Sequence, residues 1–100
     1  MIKNKFYKEK DKNMHFAVIG AGVSGLTIAM HLSKKHRVTL YEANKYLGGH
    51  ALTLKEKILV NNKLTDINFD VGFLVYNNKN YPLFSELLKL LKVKSIDSSM

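Results

Sequence analysis

The stretch HFAVIGAGVSGLTIAM, residues 15–30, is an uncharged, largely apolar run interrupted by glycine at positions 20, 22 and 25. Glycine inside a helix or strand costs about 0.5–1 kcal/mol relative to alanine, so three in so short a window need a backbone reason. The run divides naturally. AVIG is strand-forming, GAGVSG turns, and LTIAMHLSKKH supplies helix formers with lysines near its end. Next comes RVTLYEA, residues 37–43, rich in β-branched and aromatic side chains and carrying Glu42 near its end. It reads as a second, buried parallel strand. The glycines therefore restrict this part of the chain to strand, tight turn, helix and parallel strand.

In that setting each position of G-x-G-x-x-G has its own task. Gly20 permits the tight turn off the strand. Gly22 removes a side chain where a pyrophosphate must approach the backbone, and Gly25 lets the helix pack closely on the strand. Backbone N–H groups near Val23 and Ser24 would face phosphate oxygens at a helix N-terminus, whose dipole favours negative charge. Glu42, about twenty residues beyond the glycines at a strand end, can accept hydrogen bonds from adenosine ribose hydroxyls and would repel a 2′-phosphate. The competing explanation is that the glycines merely turn a tight βα connection. The flanking strand, the helix and the placed acid favour the dinucleotide site.

A secretion signal is the other rival, because MIKNKFYKEKDKN, residues 1–13, is a basic leader with too few apolar residues to define a face. It reads as a disordered extension, and Met14 is an alternative start. Glycines weaken the helix a signal needs, no small-x-small cleavage site follows, and the apolar run is too short and interrupted for a membrane span. The chain has 100 residues, enough for one domain at most, no cysteine, and a net charge of +8. Its lysines are scattered among asparagines rather than grouped, so no nucleic-acid partner is expected. A reducing, cytoplasmic location fits the absence of cysteine.

The residues after Glu42 narrow the cofactor. A plain nicotinamide fold does not need a second glycine pair so soon after the ribose acid. Tyr46, Leu47, Gly48, Gly49, His50, Ala51, Leu52 and Thr53 fall on a motif of the form Arg-x-Gly-Gly-Arg-x-x-Ser/Thr, in which this chain resembles the flavin-containing amine oxidase superfamily, including phytoene desaturases and protoporphyrinogen oxidases. Gly48, Gly49 and Thr53 match that pattern; Tyr46 and His50 stand in place of its arginines, so guanidinium contacts do not carry over. The Gly-Gly-His variant, with FDVGFLVYN and NKNYPLF further on, resembles a bacterial branch of FAD-dependent, amine-oxidase-like oxidoreductases over residues 14–100. The resemblance implies FAD, with NAD as the alternative cofactor of a non-catalytic module. The implied fold is α/β: an incomplete Rossmann-like FAD/NAD(P)-binding fold with an inserted β-hairpin and a C-terminal amphipathic helix.

Residues 60–63, VNNK, separate TLKEKIL from LTDINFDVG and favour a turn between two strands, a small hairpin. In the family this hairpin leads toward the flavin ring, so the resemblance places Gly72 and Phe73 beside it; a simple bulge is the competing reason for Gly72. Residues 81–93, YPLFSELLKLLKV, have leucine and phenylalanine at helical spacing, with Pro82 suited to the first turn. His50 is a candidate neighbour of the pyrophosphate or ribityl chain, with an equal claim to fixing its loop. The histidines lack ligand spacing, so no metal is expected. No nucleophile or acid–base pair is evident, leaving the catalytic residues and the substrate unassigned. Enzymes of the resembled type run to several hundred residues; residues 14–100 are thus expected to be an N-terminal portion, inactive alone and completed by a C-terminal region of the same enzyme.

Overall fold

The computed structural model describes residues 13–99, so all of the basic leader except Asn13 lies outside the described residues. Strand β1 (His15–Ile19) leads into helix α1 (Val23–Leu32) and strand β2 (Arg37–Tyr41). The two strands pair in parallel, from His15 opposite Arg37 to Ile19 opposite Tyr41. The ladder extends at both ends, with Arg37 N–H donating to Met14 O at 2.9 Å and Gly20 N–H to Tyr41 O at 2.7 Å.

Helix α1 packs on both strands. It starts three residues before LTIAMHLSKKH because the last glycines of the motif are themselves part of it: Gly22 is its N-cap and Gly25 lies in its first turn. It stops at Leu32, where Ser33 caps it by donating its N–H to Ala29 O at 2.9 Å. The lysines expected inside the helix therefore follow it, near the carbonyl end, where positive charge is favoured.

Strand β2 departs from expectation. Val38, Thr39 and Leu40 are half-buried and Arg37 and Tyr41 exposed, where a buried parallel strand was expected. The cause is the size of the sheet: two strands, with α1 as its packing partner among the described residues. Among the described residues Val18 and Ala21 are the buried apolar ones, and Ile19 remains 80% exposed.

The hairpin is longer than anticipated. Strands β3 (Ala51–Val60) and β4 (Lys63–Gly72) pair antiparallel over their full length, and Asn61 and Asn62, with φ of 48° and 62°, make the connection. Asparagine tolerates this left-handed region, and two such residues in a row match the twist of a two-residue hairpin loop. One face carries Leu52, Leu54, Ile58, Ile67, Phe69 and Val71; the other carries Thr53 opposite Asp70 and Lys57 opposite Asp66. The Lys57–Asp66 ion pair, at 3.9 Å between exposed side chains, contributes little. The hairpin forms its own sheet, separate from β1–β2. The radius of gyration is 18.9 Å, against about 13 Å for a compact domain of this length.

Helix α2 (Pro82–Leu90) opens at the proline, as its fixed φ favours, and ends before Lys92, whose φ is 56°. Phe84 meets Phe73 and Tyr76 edge-to-face at 5.5 and 5.1 Å, and Phe73 meets Tyr81 at 5.7 Å. The buried Ser85 hydroxyl lies 2.8 Å from Asn78 Oδ1 and 2.9 Å from Tyr81 O, tying the helix to the turn before it. Leu83 and Leu90 are exposed. No helix among the described residues is long and apolar enough to cross a membrane.

Candidate functional site

The three motif glycines do three different things. Gly20 has a φ of +95°, a conformation that disfavours any side chain. Gly25 has no room for one: a Cβ there would lie 1.8 Å from Gly20 O. Helix α1 is thereby pressed against the turn that precedes it. Gly22 is different, because its φ of −73° is ordinary and a Cβ would meet nothing within 4 Å. Its missing side chain leaves space open.

That space lies at the N-terminus of α1. The first intrahelical bond is Leu26 N–H to Gly22 O, at 2.9 Å, so the Val23, Ser24 and Gly25 amides precede it. No side-chain cap and no acidic residue occupies the first turn. Amide donors and the positive end of the dipole thus face the opening, the conditions for holding an anion.

The glycine doublet closes the opening from the other side. Gly48 N–H donates to Ala21 O at 2.7 Å, and Gly22 and Gly48 form an isolated parallel bridge. A Cβ on Gly49 would sit 3.2 Å from Gly22 Cα, so the two turns touch through their backbones. Gly48, at φ +105°, could carry a Cβ only 2.5 Å from Ala51 O.

Glu42 fastens the same region. Its Oε2 accepts the Ala21 N–H at 2.7 Å and its Oε1 accepts the Asn44 N–H at 2.8 Å. The amides of Asn44 and then Ala21 hold its carboxyl below the usual glutamate range, against a smaller opposing effect of desolvation. Each oxygen keeps a further lone pair.

A cavity of about 890 Å³ opens over the glycine turns. Gly20, Gly22, Val23, Ser24, Gly25, Gly48, Gly49, His50 and Phe73 all line it. Glu42, Thr53 and Gly72 lie off its wall. The Thr53 hydroxyl is hydrogen-bonded to Asp70 Oδ1 at 2.5 Å across the hairpin. Gly72, at φ +86°, lies against the His50 carbonyl, which accepts the Phe73 N–H at 2.9 Å. The structure adds residues that sequence reasoning passed over: Ile28 of α1 and Tyr81, Phe84 and Leu87 around α2 form a largely apolar wall, with His31 of α1 beside them. Helical spacing marks residues 81–93 as an amphipathic helix, and their sequence carries no sign that they stand beside the glycines. Ala21, wholly buried between the two turns, was also missed; its position between two glycines was the available signal. Among the described residues no cluster of three or more histidine, aspartate or glutamate side chains is placed to hold a metal ion.

A βαβ unit with this glycine turn and this acid defines a dinucleotide-binding domain. The chain belongs to the family of NAD(P)-binding Rossmann-like domains, which matches residues 18–91. It is 38% identical over 80 residues to YobN of Bacillus subtilis (strain 168), whose name assigns it provisionally to the L-amino-acid oxidases, a match covering 79% of this chain and 16% of YobN. It is 48% identical over 44 residues to an L-amino-acid oxidase of Siganus canaliculatus, covering 43% of this chain and 8% of that protein. A third relative is a 4,4'-diapophytoene desaturase of Staphylococcus haemolyticus (strain JCSC1435), 46% identical over 44 residues, which cover 43% of this chain and 9% of the desaturase. The chain thus spans less than a fifth of the length of each of these relatives. No solved structure matches it.

Proposed function

We propose that this chain is the ADP-binding segment for FAD in a flavin-dependent oxidoreductase of the amine-oxidase type, acting in the cytoplasm. The observation that carries the dinucleotide half is Gly22: no backbone angle and no neighbour requires glycine there, whereas a pyrophosphate passing over the helix N-terminus would. The flavin half is supported by the doublet Gly48–Gly49 packed on Gly22, and by relatives named as amino-acid oxidases and a desaturase.

In this reading the Val23 and Ser24 amides donate to phosphate oxygens. Glu42 accepts from the ribose hydroxyls through its remaining lone pairs, and the absent side chain of Gly22 lets the cofactor reach the backbone, while those of Gly48 and Gly49 let the doublet pack against Ala51 and Gly22. Gly72, Phe73 and His50 stand on the side toward the flavin ring, with Thr53 at the base of the hairpin. When bound, the flavin supplies a hydride acceptor, which is the chemistry of oxidases and desaturases. The chain's own part is to bind and orient. Enclosure of the ring and of the substrate falls to further polypeptide of the same enzyme.

Titration of the chain with FAD, ADP and NAD, followed by calorimetry and flavin fluorescence, tests this. FAD and ADP binding with comparable affinity supports it. NAD binding without FAD binding would replace it with a nicotinamide module, which the family description also names.

A further inference from the structure

We infer that Glu42 is a positioning residue whose carboxylate locks both glycine turns of the cradle by holding the peptide of Ala21. The inference extends the dinucleotide reading and rests on it for its effect on binding, but the geometry stands in the protein alone.

Ala21 is gripped through both of its backbone polar groups. Its N–H goes to Glu42 Oε2 at 2.7 Å and its C=O receives the Gly48 N–H at 2.7 Å. The N–H lies in the Gly20–Ala21 peptide plane and the C=O in the Ala21–Gly22 plane, so holding both fixes the two planes between Gly20 and Gly22 and with them the direction in which Gly22 faces the cavity. The other carboxylate oxygen takes the Asn44 N–H at 2.8 Å. A closed circuit results, running from Glu42 through Asn44 and the chain to Gly48, across to Ala21 and back to Glu42. One side chain thus sets the glycine-rich turn and the doublet together, and Gly49 lies against Gly22 as a consequence. Both bonds are charge-assisted, and the burial of Ala21 keeps water from replacing the one that matters most.

A glutamate that only holds ribose and one that sets the turns predict opposite signs for a ligand without ribose. Removing a negative charge near an anion site should by itself tighten inorganic pyrophosphate. Losing the clasp should loosen it, because the amides no longer converge.

The test uses the full 100-residue chain, isotopically labelled, as wild type, Glu42→Gln and Glu42→Ala. In the ligand-free protein the amides of Ala21 and Gly48 should exchange roughly three- to tenfold faster in the variants, while those of β1 keep their protection. Pyrophosphate affinity should fall several-fold despite the lost charge, and ADP affinity by at least as much. Should Glu42→Ala fail to fold, Glu42→Gln decides on the same amides, since it is isosteric and can accept only one of the two N–H groups. Unchanged exchange at Ala21 and Gly48, or pyrophosphate bound as tightly or more tightly, would overturn the inference. A wild-type chain that binds neither pyrophosphate nor ADP would sink the dinucleotide reading instead, and amide exchange would then judge the clasp by itself.

Discussion

Alanine at Gly22 and alanine at Gly25 should separate binding from folding. At Gly25 the new methyl would lie 1.8 Å from Gly20 O and 3.0 Å from Gly20 C, so backbone must move. Overpacking of that severity costs about 3 kcal/mol or more, and the roughly 1 kcal/mol alanine gains in a helix leaves a net loss of about 2 kcal/mol. At Gly22 nothing lies within 4 Å and φ is −73°. The unfolded chain loses about 0.4–1 kcal/mol of entropy advantage, which nearly offsets the similar penalty for alanine at an N-cap. Gly22→Ala should therefore fold within about 0.5 kcal/mol of wild type. Its methyl would nevertheless stand where the pyrophosphate must pass, weakening ADP by about ten- to a hundredfold. Urea denaturation gives the stability of each variant and calorimetry the affinity. Gly22→Ala that binds ADP like wild type, or that unfolds as readily as Gly25→Ala, would refute the reasoning.

Three further outcomes are expected. Because the Asn44 and Ala21 amides lower the Glu42 pKa in the folded state, its stabilising contribution is complete above the ordinary value of 4.5 and is lost as pH falls through the lower folded value. Acid titration of wild type against Glu42→Gln should show that component in wild type alone. Asn62→Val should cost about 1–2 kcal/mol, because a β-branched residue resists the φ of 62°, whereas Asn62→Gly should be neutral or stabilising in the same urea assay. Phe84→Ala removes two edge-to-face partners and should cost about 1–3 kcal/mol, with loss of near-ultraviolet circular dichroism from the Phe73–Tyr76–Tyr81 cluster.

The βαβ unit was legible in the sequence because its constraints are local. A glycine at φ +95°, a second with no room for Cβ and a third with nothing around it each leave a trace at a fixed spacing. The hairpin turn was legible for the same reason, since two adjacent asparagines suit a left-handed connection. What stayed hidden depends on partners distant in the chain. That Ala21 would bond to both Glu42 and Gly48, or that α2 would form a wall of the cavity, follows from how segments fold back. Burial was misjudged at β2, because a run of β-branched residues signals suitability for a buried strand, while actual burial depends on how many strands and helices surround it.

The assignment of the glycine turns as an ADP cradle is tested most directly by following the backbone amides of the labelled chain while ADP is added. The amides of Gly22, Val23, Ser24 and Gly48 should shift together and saturate at one affinity, while those of Lys57 and Asp66, out on the hairpin, stay fixed. ADP that moves none of the four, or that perturbs the hairpin and leaves the N-terminus of α1 untouched, would contradict it.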